Sequence, residues 1–146
     1  VRPGPFLEVE GTRLVGTDSR GRVRWELRAA SVVVEDDGRV TAHKPVGHLT
    51  AEDGARVRVQ AQRATYLRGQ GRVELEGQVR VAADKSRWMA ADRAWYEPAR
   101  DLLVATGNVQ LRVGGWNASA SRLESEPALR RARLVDSVRL SVEAAP

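Results

Sequence analysis

At 146 residues the chain is long enough to bury a real core, and a composition of 42% hydrophobic and 29% charged residues excludes both a disordered tail and a membrane bundle. A formal net charge of +5 points to anionic partners, and the absence of cysteine excludes disulfides, thiolate metal sites and cysteine nucleophiles. No apolar run approaches the roughly 18 residues that a membrane-spanning helix requires.

The chain opens on Val1-Arg2-Pro3-Gly4-Pro5 without an initiator Met, which reads as a mature or trimmed chain. A signal peptide or membrane anchor is therefore expected ahead of Val1, and residues 1–7 are expected to be flexible. Residues 23–29 then alternate apolar and polar side chains, as do 73–81, 103–113 and 134–142. Strands send successive side chains to opposite faces, so these runs predict half-buried antiparallel sheet. Turn signals separate them at Ser19-Arg20-Gly21, Asp36-Asp37-Gly38, Glu52-Asp53-Gly54, Arg68-Gly69-Gln70-Gly71, Ala83-Asp84-Lys85, Glu97-Pro98, Gly114-Gly115 and Glu126-Pro127. Connections this short predict a meander of consecutive strands over one domain, residues 1–146. Residues 87–103 could be drawn as an amphipathic helix, but Pro98 would break it.

Internal similarity organises the second half. Ala61-Gln62-Arg63-Ala64-Thr65-Tyr66, Ala91-Asp92-Arg93-Ala94-Trp95-Tyr96 and Ala120-Ser121-Arg122-Leu123 each precede a strand with a Val near its end. The separations Ala64 to Val79, Ala94 to Val109 and Leu123 to Val138 are all 15 residues, so a two-strand unit recurs every 29 to 30. Such a unit cannot bury its apolar face alone, and the copies must stack. Gly77 and Gly107 fall in mid-strand on the inward parity, with Asp136 at the matching place in the last copy. Glycine there marks a bulge or bend, and Asp136 reads as a bend residue rather than a functional acid. Strands bent at one level predict two facing layers with an apolar slot between them.

The Ala-x-x-Ala-x-Tyr strand followed by Gly-x-Val-x-Val/Leu resembles the OstA-like repeat of lipopolysaccharide-export proteins. The opening from Leu14 through Trp25 and Leu27 to Ala29 resembles the start of the periplasmic LptC domain. The likeness runs over about residues 8 to 143. It implies an all-β fold, a twisted open β-jellyroll of long bent strands, whose apolar interior holds lipid acyl chains. It also implies a periplasmic, non-enzymatic module of outer-membrane biogenesis, anchored to the inner membrane by an N-terminal helix. The implied partners are lipopolysaccharide or a related anionic lipid, an LptA-type bridge protein and an inner-membrane ABC transporter. The proteins would join by strand addition, with edge-to-edge homo-oligomers a further expectation.

The groove residues expected on inward parity are Trp25, Leu27, Val59, Val73, Leu75, Val79, Val81, Trp88, Leu103, Val109, Leu111, Val113, Trp116, Val138 and Leu140. Val57, Leu134 and Val142 share that parity. Any one of them has an ordinary reason to be buried, since a core aliphatic contributes roughly 1.5–3 kcal/mol; the lipid reading belongs to the set. The four tryptophans, Trp25, Trp88, Trp95 and Trp116, are placed at the slot's mouth, with rings in lipid and N–H groups wet. Arginine at Val79 or Leu111 is expected to weaken lipid binding without unfolding the chain.

No catalytic constellation, metal site or cofactor motif is found: His43 and His48 lack a third ligand, and the carboxylates alternate with apolar residues as outer-face charges. Lys44 and Lys85 are the only lysines among 24 basic residues. A genome that favours Arg explains the bias, and Arg also suits phosphate through its planar fork of donors. Two other readings stay open. A structural repeat protein could assemble through its sheet edges without lipid. A nucleic-acid binder fits the charge, but the arginines are spread over every strand and aromatics are only 5%.

Overall fold

Alternation gives each strand one apolar face, and short turns bring neighbouring faces together. The computed structural model describes residues 6–67, 69 and 71–142. The first strands are β1 (Phe6–Glu10), β2 (Arg13–Thr17), β3 (Val23–Arg28) and β4 (Ser31–Val34). They are followed by β5 (Val40–His43), β6 (Val46–Thr50), β7 (Arg56–Gln60) and β8 (Arg63–Tyr66). The long strands are β9 (Val73–Asp84), β10 (Arg87–Glu97), β11 (Leu102–Val113) and β12 (Trp116–Ser125). The last two are β13 (Ala132–Val135) and β14 (Arg139–Val142). The described residues contain no α-helix: the segment with helical character is β10, and Pro98 opens a single 3-10 turn after it.

These strands join in one antiparallel sheet. Predicted turns close as expected, with Gly21 N–H donating to Asp18 O, Gly38 to Glu35 O and Gly54 to Ala51 O. Arg68 and Gln70 of the predicted 68–71 turn lie outside the described residues, as do residues 1–5; Phe6 and Leu7 belong to β1.

The sheet bends at one level, and the repeat sets that level. Gly77 (φ 81°) and Gln78 (φ 48°) are both in the left-handed region, and so are Gly107 (φ 79°) and Asn108 (φ 50°). Each pair adds a residue to its strand, so the register of β9 and of β11 against β10 shifts there. A side chain would not fit at either glycine. A Cβ on Gly77 would stand 2.4 Å from Gln62 Oε1, and one on Gly107 2.8 Å from Asp92 Oδ2. Asp136 (φ 64°) and Ser137 (φ 54°) make the same break between β13 and β14, and Lys44 (φ 54°) makes it between β5 and β6. Gln62 lies at the gap between β7 and β8, where its N–H donates to Gly77 O at 2.9 Å.

The bend divides the sheet into two layers. The first contains β1, β2, β3, β6, β7 and β14 with residues 79–84, 87–91, 109–113 and 116–120. The second contains β4, β5, β8 and β13 with residues 73–76, 93–97, 102–106 and 122–125. The layers face each other: Trp25 of the first and Tyr66 of the second stand 6.0 Å apart at their ring centroids. Both layers supply the core, which runs from Leu27, Val59 and Met89 to Leu75, Ala94 and Leu103.

Gly107→Val combines a β-branched side chain with positive φ and the contact to Asp92, and is expected to cost about 2–3 kcal/mol in urea unfolding. Gln110→Val, three residues on and exposed, is expected to change stability by less than about 0.5 kcal/mol.

Candidate functional site

The inward set divides into a filled centre and an open margin. Trp25, Leu27, Val57, Val59, Val73, Leu75, Val79, Val81, Leu103 and Val109 are all fully buried. They pack against one another and against Met89, Tyr96 and Leu123. Small residues narrow the space between the layers there. Ala42, Ala64, Ala91, Ala94 and Ala105 occupy inward positions on the second layer and at the bend, and side chains this small let the layers approach each other. Val79 is 1% exposed, so arginine there would unfold the domain rather than merely repel a ligand, which corrects the expectation from sequence. Leu111, at 8% exposure, remains a usable probe.

Trp88 was expected inside and lies outside. Met89 pairs with Val81 and takes the inward position, while Trp88 pairs with Ala82 and Arg112 on the outer face, under the Arg80 guanidinium at 4.5 Å. The break in register between Ala91 and Arg93 sets that parity, since Ala94 and Tyr96 are inward beyond it and Ala91 and Met89 before it. Trp95 is likewise outside, beneath Arg72 at 4.7 Å, and Trp25 is core. Of the four tryptophans, only Trp116 stands at the mouth of the interior.

One end of the interior is sealed by charge. Arg24 is 2% exposed, although alternation assigns it to the outer face. A bulge at Arg24, opposite Gly16 and Thr17 of β2, turns it inward beside Trp25. Its Nε donates to Thr50 O at 2.9 Å, Nη1 to Glu52 Oε2 at 3.0 Å and Asp18 Oδ2 at 3.3 Å, and Nη2 to the Tyr96 hydroxyl at 2.9 Å and Asp101 Oδ1 at 3.1 Å. The Tyr96 hydroxyl donates to Thr50 O at 2.8 Å. Asp18, Thr50 and Glu52 belong to the first layer, Tyr96 and Asp101 to the second, so the network stitches the two together. An ion pair of Arg130 with Asp53 adds a second stitch.

Burial opposes ionisation of Asp18, yet backbone N–H donors of Arg22 and Arg20 and the guanidiniums of Arg22 and Arg24 outweigh it and hold the carboxyl below its ordinary value. The Arg22 guanidinium does the same for Glu52. Burial pushes the Tyr96 phenol far up, so it stays a neutral donor. Sequence reasoning missed Arg24 and Asp101; the Tyr of the repeated Ala-x-x-Ala-x-Tyr motif was the available signal for Tyr96.

The other end is open and apolar. Between β12, β13 and β14 lies a cleft of about 420 Å³ lined by Leu111, Val113, Trp116, Ala118, Leu134 and Leu140. Trp116 is 53% and Leu140 61% exposed, and Val138 and Val142 beside them are also exposed. Trp116 pairs with Val142 and Ala118 with Leu140, so these side chains share the inner face and continue the core to the sheet's edge. A larger concavity of about 740 Å³ lies on the outside of the second layer and is lined by charged and polar groups such as Arg63, Glu74, Glu76 and Arg93, which cannot hold an acyl chain. Among the described residues no cluster of His, Asp and Glu could hold a metal ion, and no helix is long and apolar enough to cross a membrane.

A bent antiparallel sheet rolled on itself, with an apolar interior opening at one edge, defines an open β-jellyroll. A family model describing lipopolysaccharide-assembly, LptC-related proteins matches residues 5–143, and the chain belongs to that family. Its role lies in lipopolysaccharide transport. Among solved structures it is similar to LptH, the LptA homologous periplasmic component of the lipopolysaccharide transport device of Pseudomonas aeruginosa. That likeness has a TM-score of 0.63 at 10% identity over 81% of this chain and 94% of the other, a likeness of fold. No curated protein matches the sequence.

Arg24→Met leaves Asp18, Asp101 and Tyr96 without their shared partner and is expected to cost about 3–5 kcal/mol in urea unfolding. The pH dependence has a definite sign. Asp18 and Glu52 titrate below their ordinary 3.8 and 4.5 when folded, so their contribution is present above those values and is lost as pH falls through the lower folded ones. Acid unfolding of Arg22→Met, which takes a guanidinium from both carboxylates, should accordingly be less steep over that range than that of the parent.

Proposed function

We propose that the chain receives lipopolysaccharide acyl chains in the apolar cleft at the β12–β14 margin and passes them to a neighbouring Lpt component. The supporting observation is the exposed inner face itself: Trp116, Leu140 and Val142 continue the core to the edge without a covering strand. A cleft of about 420 Å³ falls within the range of small-molecule sites. Each methylene buried there contributes about 0.8 kcal/mol, so a few of them hold a chain without trapping it. Transfer requires binding of that intermediate kind.

The sheet edges supply the means of handing on. Among the described residues, β14 and β13 pair only with β12, β1 only with β2, and β4 only with β5. A strand added to β14 would extend the first layer over the cleft and join this interior to the next, by the edge pairing through which β-augmentation works. An LptA-type bridge protein fits the β13/β14 margin, and the transporter the β1 margin. A helix ahead of Val1 would then tether the domain to the inner membrane, on its periplasmic side. The scaffold reading accounts for the edges but leaves the exposed Trp116 and Leu140 without a role.

Leu140→Asp and Leu111→Arg should each weaken uptake of fluorescently labelled lipopolysaccharide more than tenfold, since losing two methylene contacts removes about 1.6 kcal/mol. Val33→Asp, on exposed β4 at the opposite margin, should leave uptake unchanged. Unaltered binding by both cleft variants, or filaments of a lipid-free chain that cleft variants leave intact, would instead favour the scaffold.

A further inference from the structure

The outer faces of the two layers carry charge in opposite styles. On the second layer most arginines are paired: Arg63 with Glu76 at 2.7 Å, Arg72 with Glu74 at 3.2 Å, and Arg122 and Arg133 both with Glu124, while Arg93 is exposed. On the first layer, from β7 to β14, the outward strand positions hold Arg58, Arg80 and Arg139 among Gln, Asn, Ser and Ala, with Asp84 at the hairpin tip. Arg58, Arg80 and Arg139 are exposed, and none has a carboxylate within 4.0 Å among the described residues. Arg58 on β7 and Arg139 on β14 are five strand spacings apart, about 24 Å.

Within this field the Arg80 guanidinium carbon stands over the Trp88 ring, 4.5 Å from its centroid. The contact puts a cation beside an amphipathic ring on a face that is otherwise polar. A shallow concavity of about 510 Å³ lies beside it, where Arg58, Arg80 and Lys85 converge. Arg58, Arg80 and Arg139, spread over a broad face, complement an extended surface of negative charge rather than a single anion. Arginine around one interfacial tryptophan is also the composition of protein surfaces that rest on headgroups. Single-stranded nucleic acid would call for several stacking aromatics, and this stretch exposes one.

We propose that the outer face of the first layer is a membrane-docking surface that lies against anionic phospholipid headgroups. The interior and its edges would then remain free for lipid exchange while the domain is held flat at the bilayer. Docking does not depend on acyl chains entering the cleft, and the two roles occupy opposite faces of the same layer.

Sedimentation of the 146-residue chain with vesicles tests this. Vesicles with about one-third phosphatidylglycerol should pull the chain down, those of phosphatidylcholine alone should not, and high salt should release it. Each arginine is worth roughly fivefold near such a surface, so Arg58→Gln with Arg80→Gln should weaken binding by about 25-fold. Arg63→Gln with Arg93→Gln, on the second layer, removes the same net charge and should change it by less than about twofold. Leu140→Asn, which adds no charge, should bind vesicles as the parent does, whatever it does to lipopolysaccharide uptake. Equal binding to neutral vesicles, equal losses for the two double variants, or displacement of vesicles by duplex DNA at matched phosphate would each overturn the proposal.

Discussion

Gln62, Gly77, Asp92 and Gly107 follow one another at intervals of 15 residues, and the strands that carry them all break step at that level. A flat sheet of these strands would leave its apolar face in water. The paired left-handed residues at Gly77-Gln78 and Gly107-Asn108 fold that face onto itself, and hydrogen bonds across the bend hold it there, as between Asn108 Nδ2 and Asp92 Oδ2 at 2.9 Å. Curvature through bulges is the ordinary way to turn a sheet into a roll. The bend is therefore what creates an inside, and the alanines of the inward positions decide how much of that inside stays empty.

The two ends of the interior are finished differently. At one, a buried guanidinium collects carboxylates, a phenol and a carbonyl from both layers, a solution in which every charge is matched and none can be removed alone. At the other, apolar side chains run out to an unpaired strand with nothing over them. The family to which the chain belongs gives this geometry its setting in lipopolysaccharide transport.

Much of this was legible in the sequence because it is periodic. Alternation located the long strands, the constant 15-residue separation located the bend, and the mid-strand glycines gave its mechanism. The errors fall where a local irregularity overrides the period. The bulge at Arg24 brings a charge inward that parity sends outward, and the break between Ala91 and Arg93 exchanges Met89 for Trp88 on the inner face. A slip of one residue reverses every side chain beyond it, and period-two reasoning cannot see where it occurs. The long slot was also overdrawn. Counting inward aliphatics identifies what is buried, but the volume left between layers depends on their separation, which the small Ala42, Ala64 and Ala105 reduce. The last copy kept its opening because Trp116, Val138, Leu140 and Val142 meet no second layer beyond β13.

The central claim is that the interior is filled and sealed at the Arg24 end and accessible at the β12–β14 margin. Paramagnetic broadening of backbone amide signals by a spin-labelled fatty acid tests it most directly. Amides of Trp116, Ala118 and Leu140 should broaden at low probe occupancy, while those of Leu27, Val79 and Met89 stay sharp. Broadening centred on Leu27 or Val79, or distributed evenly over both faces of the sheet, would contradict it.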